Sequence, residues 1–296
     1  MKPPRVLNLL RNITSTPVRP HTAMASDSPV HFFDITSTLP GTKRPNPCSS
    51  KSWSPNTIKT RMVLNYKRIP YTQSWVSYPD IAPLLSSLAV PANADRMPYT
   101  LPAINHKPTV TSNPTGTLMD SFAIACHLDQ YYPTPSLFPS GDASYALTIA
   151  VGKLITRAVD KARPLVVPNV AKFLDDKGRE YFIKTRSAWF GKPLSEVRPK
   201  DPQIVKQTTD EVKKEMEGLA QMLRGRLGKT GPFFEGEKAG YADFIVVSFL
   251  AWVERADKEL WRALLDVGQG ELKALWEACV PWVEGQGEEK DWPIAR

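Results

Sequence analysis

Two hydrophobic periods alternate along this chain. Residues Val30–Ile35 (VHFFDI) form an apolar, aromatic run that ends near turn residues, which predicts a strand. A loop rich in Pro, Ser and Lys follows from Leu39 to Ser52. Ser54-Pro55 then opens an amphipathic helix: Ser is favoured at the N-cap and Pro at the first helical position. Ile58, Met62 and Tyr66 recur on one face of it, at i, i+4 and i+8. Tyr71–Val76 reads as a second strand, and Leu84–Pro98 as a variable helical or loop stretch. Leu101-Pro102-Ala103-Ile104 begins a short third strand and Gly116–Met119 a fourth. Asp120-Ser121 caps a helix that carries Phe122, Ala125 and Leu128 on one side. This order predicts a small α/β unit with helices on a mixed sheet.

After Tyr132 the Pro-rich stretch PTPSLFPSG marks a domain boundary. From about Asp142 the pattern is helical, with clear segments at Ala143–Arg163, Pro202–Leu227, Tyr241–Lys258 and Glu271–Val280. The expected organisation is an extension over 1–29, an α/β domain over 30–133 and an all-α domain over 140–285.

Hydrophobic content of 42% with 9% aromatics suits a globular protein. No apolar run approaches the ~20 residues of a membrane span. The net charge of +8 changes meaning once located. Residues 1–26 carry Lys2, Arg5, Arg11 and Arg19 and no acid, which is half of the total. A nucleic-acid reader concentrates its basic residues on a face of the folded part, so the charge argues against that class. The same stretch is amphipathic, with Val6, Leu7, Leu9, Leu10 and Ile13 opposite Arg5, Asn8, Arg11 and Asn12. It reads as a mitochondrial presequence, as a disordered extension, or as leader ahead of a working start at Met24. The location is accordingly cytoplasmic, or mitochondrial if the presequence reading holds. Cys48, Cys126 and Cys279 form no C-x-x-C and no even framework, which favours a reducing compartment. The four histidines show no ligand spacing with them, so no metal site is expected.

Five pieces, in order, resemble the glutathione transferase superfamily. WSPNTIKTRMVLNYKRIPY (53–71) is similar to the first helix and second strand of fungal glutathione transferases related to bacterial β-etherases. Tyr99-Thr100-Leu101-Pro102 resembles the family's cis-proline turn, and MDSFAIACHLDQYYP (119–133) its acidic-Ser segment and third helix. KTRSAWFGKPL (184–194) and GYADFIVVSFLAWVER (240–255) resemble pieces of its helical domain. The resemblance covers residues 30–283. It implies a thioredoxin-like glutathione-binding domain followed by an all-helical substrate domain, and a homodimer. The implied partners are glutathione and a small hydrophobic electrophile.

Glutathione chemistry needs a thiolate, and a thiol of pKa ~8.5 is only ~3% ionised at pH 7. A hydroxyl bond to the sulfur, worth ~1.5–3 kcal/mol, lowers that pKa by one to two units at ~1.36 kcal/mol each. A helix N-terminus adds ~0.3–1 kcal/mol. Together they raise the nucleophile ~15–30-fold, and orientation supplies the rest. Ser54 starts the first helix, where the family keeps its catalytic Ser, Cys or Tyr; its plain alternative is an N-cap. Asn56 is the alternative donor. Trp53 either walls the site or packs in the core. By resemblance, Leu101 before a cis Pro102 pairs through its backbone with the cysteinyl unit. Asp120 and Ser121 take the γ-glutamyl group, the carboxylate on Ser121 and the helix N–H groups, the ammonium on Asp120. Without a ligand these two are a helix cap.

Three further features qualify the picture. Asp243 is the structural N3 residue of a capping box, but Gly240 stands where Ser or Thr is usual, which predicts a weaker cap. The loop Gly41–Lys51 is longer than in similar proteins and lies just before Ser54. Its Cys48 is a candidate for a mixed disulfide with glutathione. Gly225-x-x-Gly228-Lys229-Thr230 imitates the end of a phosphate loop, but Leu223 occupies the first glycine's place, so a helix-ending turn is expected. The functional classes that remain are a glutathione-dependent enzyme of detoxification or fungal biosynthesis (conjugation, ether cleavage, or a lyase or isomerase step), a ligand-binding protein of the same fold, and a regulatory module.

Overall fold

The computed structural model describes residues 30–40, 51–94, 97–107, 109–284 and 287–293. The predicted presequence, Cys48 and most of the loop before Ser54 lie outside the described residues.

The first half is a sheet with helices packed on it. Strands β1 (Val30–Ile35) and β2 (Tyr71–Val76) form where the sequence places them. Helix α1 (Pro55–Tyr66) connects them, and the two strands run parallel. Helix α2 (Ile81–Ser87) follows, earlier than the variable stretch suggests, with Ile81, Leu84 and Leu85 buried. Strands β3 (Ala103–Asn105) and β4 (Thr117–Met119) add antiparallel pairs, and α3 (Ser121–Tyr131) closes this half.

The second half is helical: α4 (Asp142–Val170), α5 (Asp176–Phe190), α6 (Pro202–Arg224), α7 (Tyr241–Ala256), α8 (Lys258–Leu265) and α9 (Glu271–Glu284). Three outcomes differ from the sequence expectation. Helix α4 continues past Arg163 through Pro164 and Pro168. An interior proline costs ~3 kcal/mol, but the continuation buries Leu165, Val166, Val167 and Val170, each worth ~1.5–3 kcal/mol. The segment predicted over Tyr241–Lys258 is helix α7, which ends at Ala256, and a further helix that was not expected, α8, follows it. Asp257 leaves helical geometry at φ −151° and its carboxylate accepts from the Leu260 N–H at 3.1 Å, starting α8. Helix α5 was not predicted as an element, because it buries only Gly178 and Phe182 and shows no apolar stripe.

A short fifth strand, β5 (Glu288–Glu289), was not expected either. It returns from the helical half and pairs parallel to β2, giving the sheet order β4-β3-β1-β2-β5. Close approach is possible because Gly287 precedes it: a Cβ there would lie 2.4 Å from the Tyr71 ring. Trp292 beyond it packs on His31 and Phe33, with ring centroids at 4.6 and 5.1 Å.

The connection between the halves is pinned from α1. Lys67 Nζ donates to Asp129 Oδ1 and to the carbonyls of Tyr132 and Pro135, each at 2.6 Å. The apparent phosphate-loop remnant is the end of α6, with Gly225 and Gly228 at φ +65° and +80°.

Candidate functional site

The strand register decides where the predicted site residues fall. β1 pairs antiparallel with β3 through Phe33 and Ala103, so Leu101-Pro102 lies at the C-terminal end of β1. Ala103 also pairs with Met119, which brings Asp120 and Ser121 to the same end. The chain leaves β1 at that end and re-enters the described structure at Lys51, just before Ser54 and α1. Ser54, Leu101, Pro102, Asp120 and Ser121 therefore share one end of the sheet.

Ser54 is the N-cap of α1 at φ −71° and ψ 130°, with Pro55 next. Its carbonyl starts the helix by accepting from the Ile58 N–H at 2.9 Å. Its side chain makes no capping hydrogen bond. The N-cap alternative thus holds for the backbone and not for the hydroxyl. Ser54 is buried, whereas Asn56 is exposed.

The Leu101–Pro102 peptide bond is cis. The Pro102 carbonyl accepts from the Asp120 N–H at 3.3 Å, which ties the two segments together. Asp120 adopts φ +83°, a conformation that costs a non-glycine residue ~1–3 kcal/mol. It is held there by that bond and by its own carboxylate, whose Oδ1 accepts from Phe122 and Ala123 N–H at 2.9 and 3.3 Å. Asp120 is a true cap of α3, and its negative charge sits at the positive end of that helix. Ser121, the first residue of α3, is buried, and Tyr241 of α7 lies behind it with its ring 5.5 Å from that of Phe122.

Trp53 is in the core, with its indole N–H directed at the Thr36 carbonyl at 3.4 Å. Its ring packs on Phe173 at 5.5 Å and Tyr78 at 6.2 Å. Tyr78 in turn stacks on Tyr181 of α5, and the Arg186 guanidinium lies 4.7 Å from the centroid of Phe182. Burial pushes the Tyr78 hydroxyl up to about 12. This aromatic bank joins the sheet half to α5 beside the Ser54 segment.

Several contributors were not singled out from the sequence. Lys59 lies on α1 in the field of Asp120. Burial lowers its ammonium to about 8, with Asp120 opposing the shift. Asp34, Arg61 and Ser52 form a buried polar group under the segment that carries Ser54. The one available signal was Asp34 itself, an acid inside an apolar strand. Neither described cysteine is a nucleophile in waiting: burial, with Asp129 and Asp120, pushes Cys126 up to about 11, and burial, with Asp243, raises Cys279 well above the ordinary thiol range. Among the described residues, no three of His, Cys, Asp and Glu are grouped to hold a metal ion. No helix among them is long and apolar enough to cross a membrane.

At the start of α7 the cap expected to be weak is reinforced. Gly240 supplies no hydroxyl, but the buried Asp243 carboxylate accepts from the N–H of Gly240 at 2.8 Å and of Phe234 at 2.9 Å. It thereby fixes the turn at Phe233–Gly236 as well as the helix.

This two-part architecture, with the cis-proline turn and the acidic-Ser helix start at one end of the sheet, is that of a glutathione transferase. Comparison with known proteins agrees. The N-terminal domain of glutathione S-transferases matches residues 50–136 and the C-terminal domain matches residues 146–282. The glutathione S-transferase-like protein ustS of Aspergillus flavus is 59% identical over 271 residues, covering 90% of this chain and 96% of that protein. Among solved structures, a glutathione S-transferase of Ceriporiopsis subvermispora in complex with glutathione aligns with a TM-score of 0.73 and 28% identity. That match covers 86% of this chain and 98% of the other. The glutathione transferase GSTFuA3 of Phanerochaete chrysosporium gives 0.71 and 27%, over 86% and 97%. The chain belongs to the glutathione S-transferase family.

Proposed function

We propose that this chain binds glutathione at the C-terminal end of β1 and transfers it, as a thiolate, to a small hydrophobic electrophile. The observation that carries the reading is Ser54: an N-cap whose hydroxyl does not cap, at the end of the sheet shared by Leu101, Pro102, Asp120 and Ser121. In this reading the Ser54 hydroxyl donates to the sulfur, and the N-terminus of α1 favours the negative charge. Asn56, being exposed, is the second-choice donor. The Leu101 backbone pairs with the cysteinyl unit. The Ser121 hydroxyl and backbone N–H, at the start of α3, receive the γ-glutamyl carboxylate, and the Asp120 charge its ammonium. Support comes also from the similar Ceriporiopsis structure, which was solved with glutathione.

The transfer forms a carbon–sulfur bond as the leaving group departs with its electron pair. Domains 30–133 and 140–285 divide the work, glutathione on the first and electrophile against the second. The partly exposed Tyr78 and Tyr181 rings, stacked at 6.0 Å over the buried Trp53 and Phe182, favour an aromatic substrate. Conjugation and aryl-ether cleavage both fit this arrangement, as does a biosynthetic role. A homodimer belongs to the same reading.

Ser54→Ala tests it. With a chlorodinitrobenzene electrophile, kcat/KM falls at least ~10-fold while glutathione affinity, measured by calorimetry, holds within ~2-fold. An unchanged rate removes Ser54 from the chemistry, and no turnover in the parent protein moves the assignment to a ligand-binding role.

A further inference from the structure

The three residues before Ser54 are each fixed by hydrogen bonds, Lys51 and Trp53 to the segment after β1 and Ser52 to β1 and α7. The Lys51 carbonyl accepts from Ser37 Oγ at 2.6 Å. The Ser52 hydroxyl donates to Asp34 Oδ2 at 2.6 Å, and the Ser52 carbonyl accepts from Arg255 Nε at 3.0 Å. The Trp53 indole donates to Thr36. Ser52 is the most heavily engaged of the three, and it is completely buried.

Its two partners are each half of a buried ion pair. Asp34 Oδ2 also accepts from Arg61 Nη2 at 2.8 Å, with both side chains inaccessible to solvent. Arg61 Nη1 donates to the Tyr71 hydroxyl at 3.0 Å, and its guanidinium lies over the Phe32 and Trp75 rings at 5.2 and 5.4 Å. Arg255 Nη1 donates to Glu254 Oε2 at 2.6 Å, with both side chains 3% exposed. The first pair belongs to the sheet half and the second to α7. Ser52 is thus the residue through which two buried charged groups, one from each half, hold the same two-residue approach to α1.

We propose that Ser52 is a positioning residue for Ser54, and that the Asp34–Arg61 and Glu254–Arg255 pairs act through it. The inference rests on the role given to Ser54 above. Its physical basis is strength and direction. A hydrogen bond to a charged group is roughly twice as strong as a neutral one, and bonds made in a dry interior are not exchanged for water. Two such bonds on one residue, to its hydroxyl and to its carbonyl, fix the peptide plane between Ser52 and Trp53. That plane sets where the Ser54 backbone starts and where its hydroxyl points. A misplacement of about 1 Å at a reacting group lowers rate ~100-fold, so part of this geometry is felt in catalysis and not only in stability. The alternative is that the network serves folding alone.

Ser52→Ala separates the two. It removes the bond to Asp34 and leaves the carbonyl to Arg255. The expected result is a fall of ~5–10-fold in kcat/KM at pH 6.5. In the pH profile of kcat/KM, the ionisation assigned to bound glutathione moves up toward the ~8.5 of the free thiol. Glutathione affinity stays within ~2-fold, and Ser52→Thr, which keeps a hydroxyl, restores the parent profile. Arg255→Lys keeps the charge beside Glu254 and loses the Nε donor; it shifts the profile in the same direction by less. If Ser52→Ala does not fold, Arg255→Lys carries the test. A folded variant of either kind with the parent pH profile overturns the inference. Ser54→Ala, measured in parallel, tells the failures apart. A profile that moves in Ser54→Ala but not in Ser52→Ala sinks only the role of Ser52. No movement in Ser54→Ala sinks the reading on which it rests.

Discussion

Among the described residues, fifteen of the twenty-one buried polar or charged ones lie between His31 and Ser121, and the longer helical half buries six. The sheet half has short strands and long connections, and it carries the site. It uses buried hydrogen bonds to hold loops where regular structure is scarce: Asp34 and Ser52, Lys67 and the interdomain connection, Ser77 Oγ donating to Asp175 at 2.7 Å. The helical half holds itself with apolar faces. In α7, Phe244, Val246, Val247, Phe249, Leu250, Ala251 and Val253 are all buried, and its polar bonds cluster at helix ends. The contrast fits the proposed placement of glutathione on the sheet half. Apolar packing tolerates repacking and small shifts, whereas the role proposed for the Ser54 hydroxyl does not.

The largest expected effect probes that contrast through charge. Arg61→Ala leaves Asp34 buried without its cation, and denaturant unfolding should show a loss of about 3–5 kcal/mol. Lys161→Ala removes a comparable pair with Glu211 on the helical half, where both side chains are solvent-exposed, and should leave the midpoint unchanged. Equal effects of the two substitutions break the comparison.

A smaller effect is expected at the polar group on which the helical half does depend. Asp243→Ala strands the N–H groups of Phe234 and Gly240 and should cost about 1–3 kcal/mol in the same measurement. A loss larger than that of Arg61→Ala would reverse the ranking of the two halves.

The last expected effect is the contribution that the buried histidines of the sheet half make to stability as pH changes. Burial, with Lys290 adding to it, lowers His31 to about 4, against ~6.5 in the unfolded chain. Between those values the unfolded state binds the extra proton. Stability is therefore complete above about pH 6.5 and is lost as pH falls toward 4, with a slope approaching ~1.4 kcal/mol per pH unit. His127, by burial and then the neighbouring His106, is also lowered to about 4, and burial lowers His106 itself. These are the histidines among the described residues, and all lie in this half. His31→Gln should reduce the slope between about pH 6.5 and 4.5, leaving the part that His127 and His106 carry; an unchanged slope assigns the acid sensitivity elsewhere.

Much of this was legible in the sequence. β1 and β2 have the bounds that their apolar runs predict, and α1 begins at the Ser-Pro signal. The cis bond and the cap at Asp120 stand where the motif implied them. The misses share one cause, which is that tertiary contacts decided the outcome. Helix α4 ran through two prolines because its last turns are buried, and β5 formed from two glutamates because the edge of β2 was there to receive them. The Ser52 network was invisible for the same reason. Its members, Asp34, Ser52, Arg61 and Arg255, are scattered, with Ser52 and Arg255 203 residues apart, and make no pattern along the chain.

Strand β5 bears on how the protein is made. Its partner β2 ends at Val76 and β5 begins at Glu288. At a ribosomal rate of ~5–20 residues per second, the outer edge of β2 waits ~10–40 s for its neighbour. During that interval the growing chain displays an open strand edge, the kind of surface that recruits other chains. Glu288 and Glu289 must be made before that edge is covered, so premature termination anywhere in the helical half releases a product with the edge open.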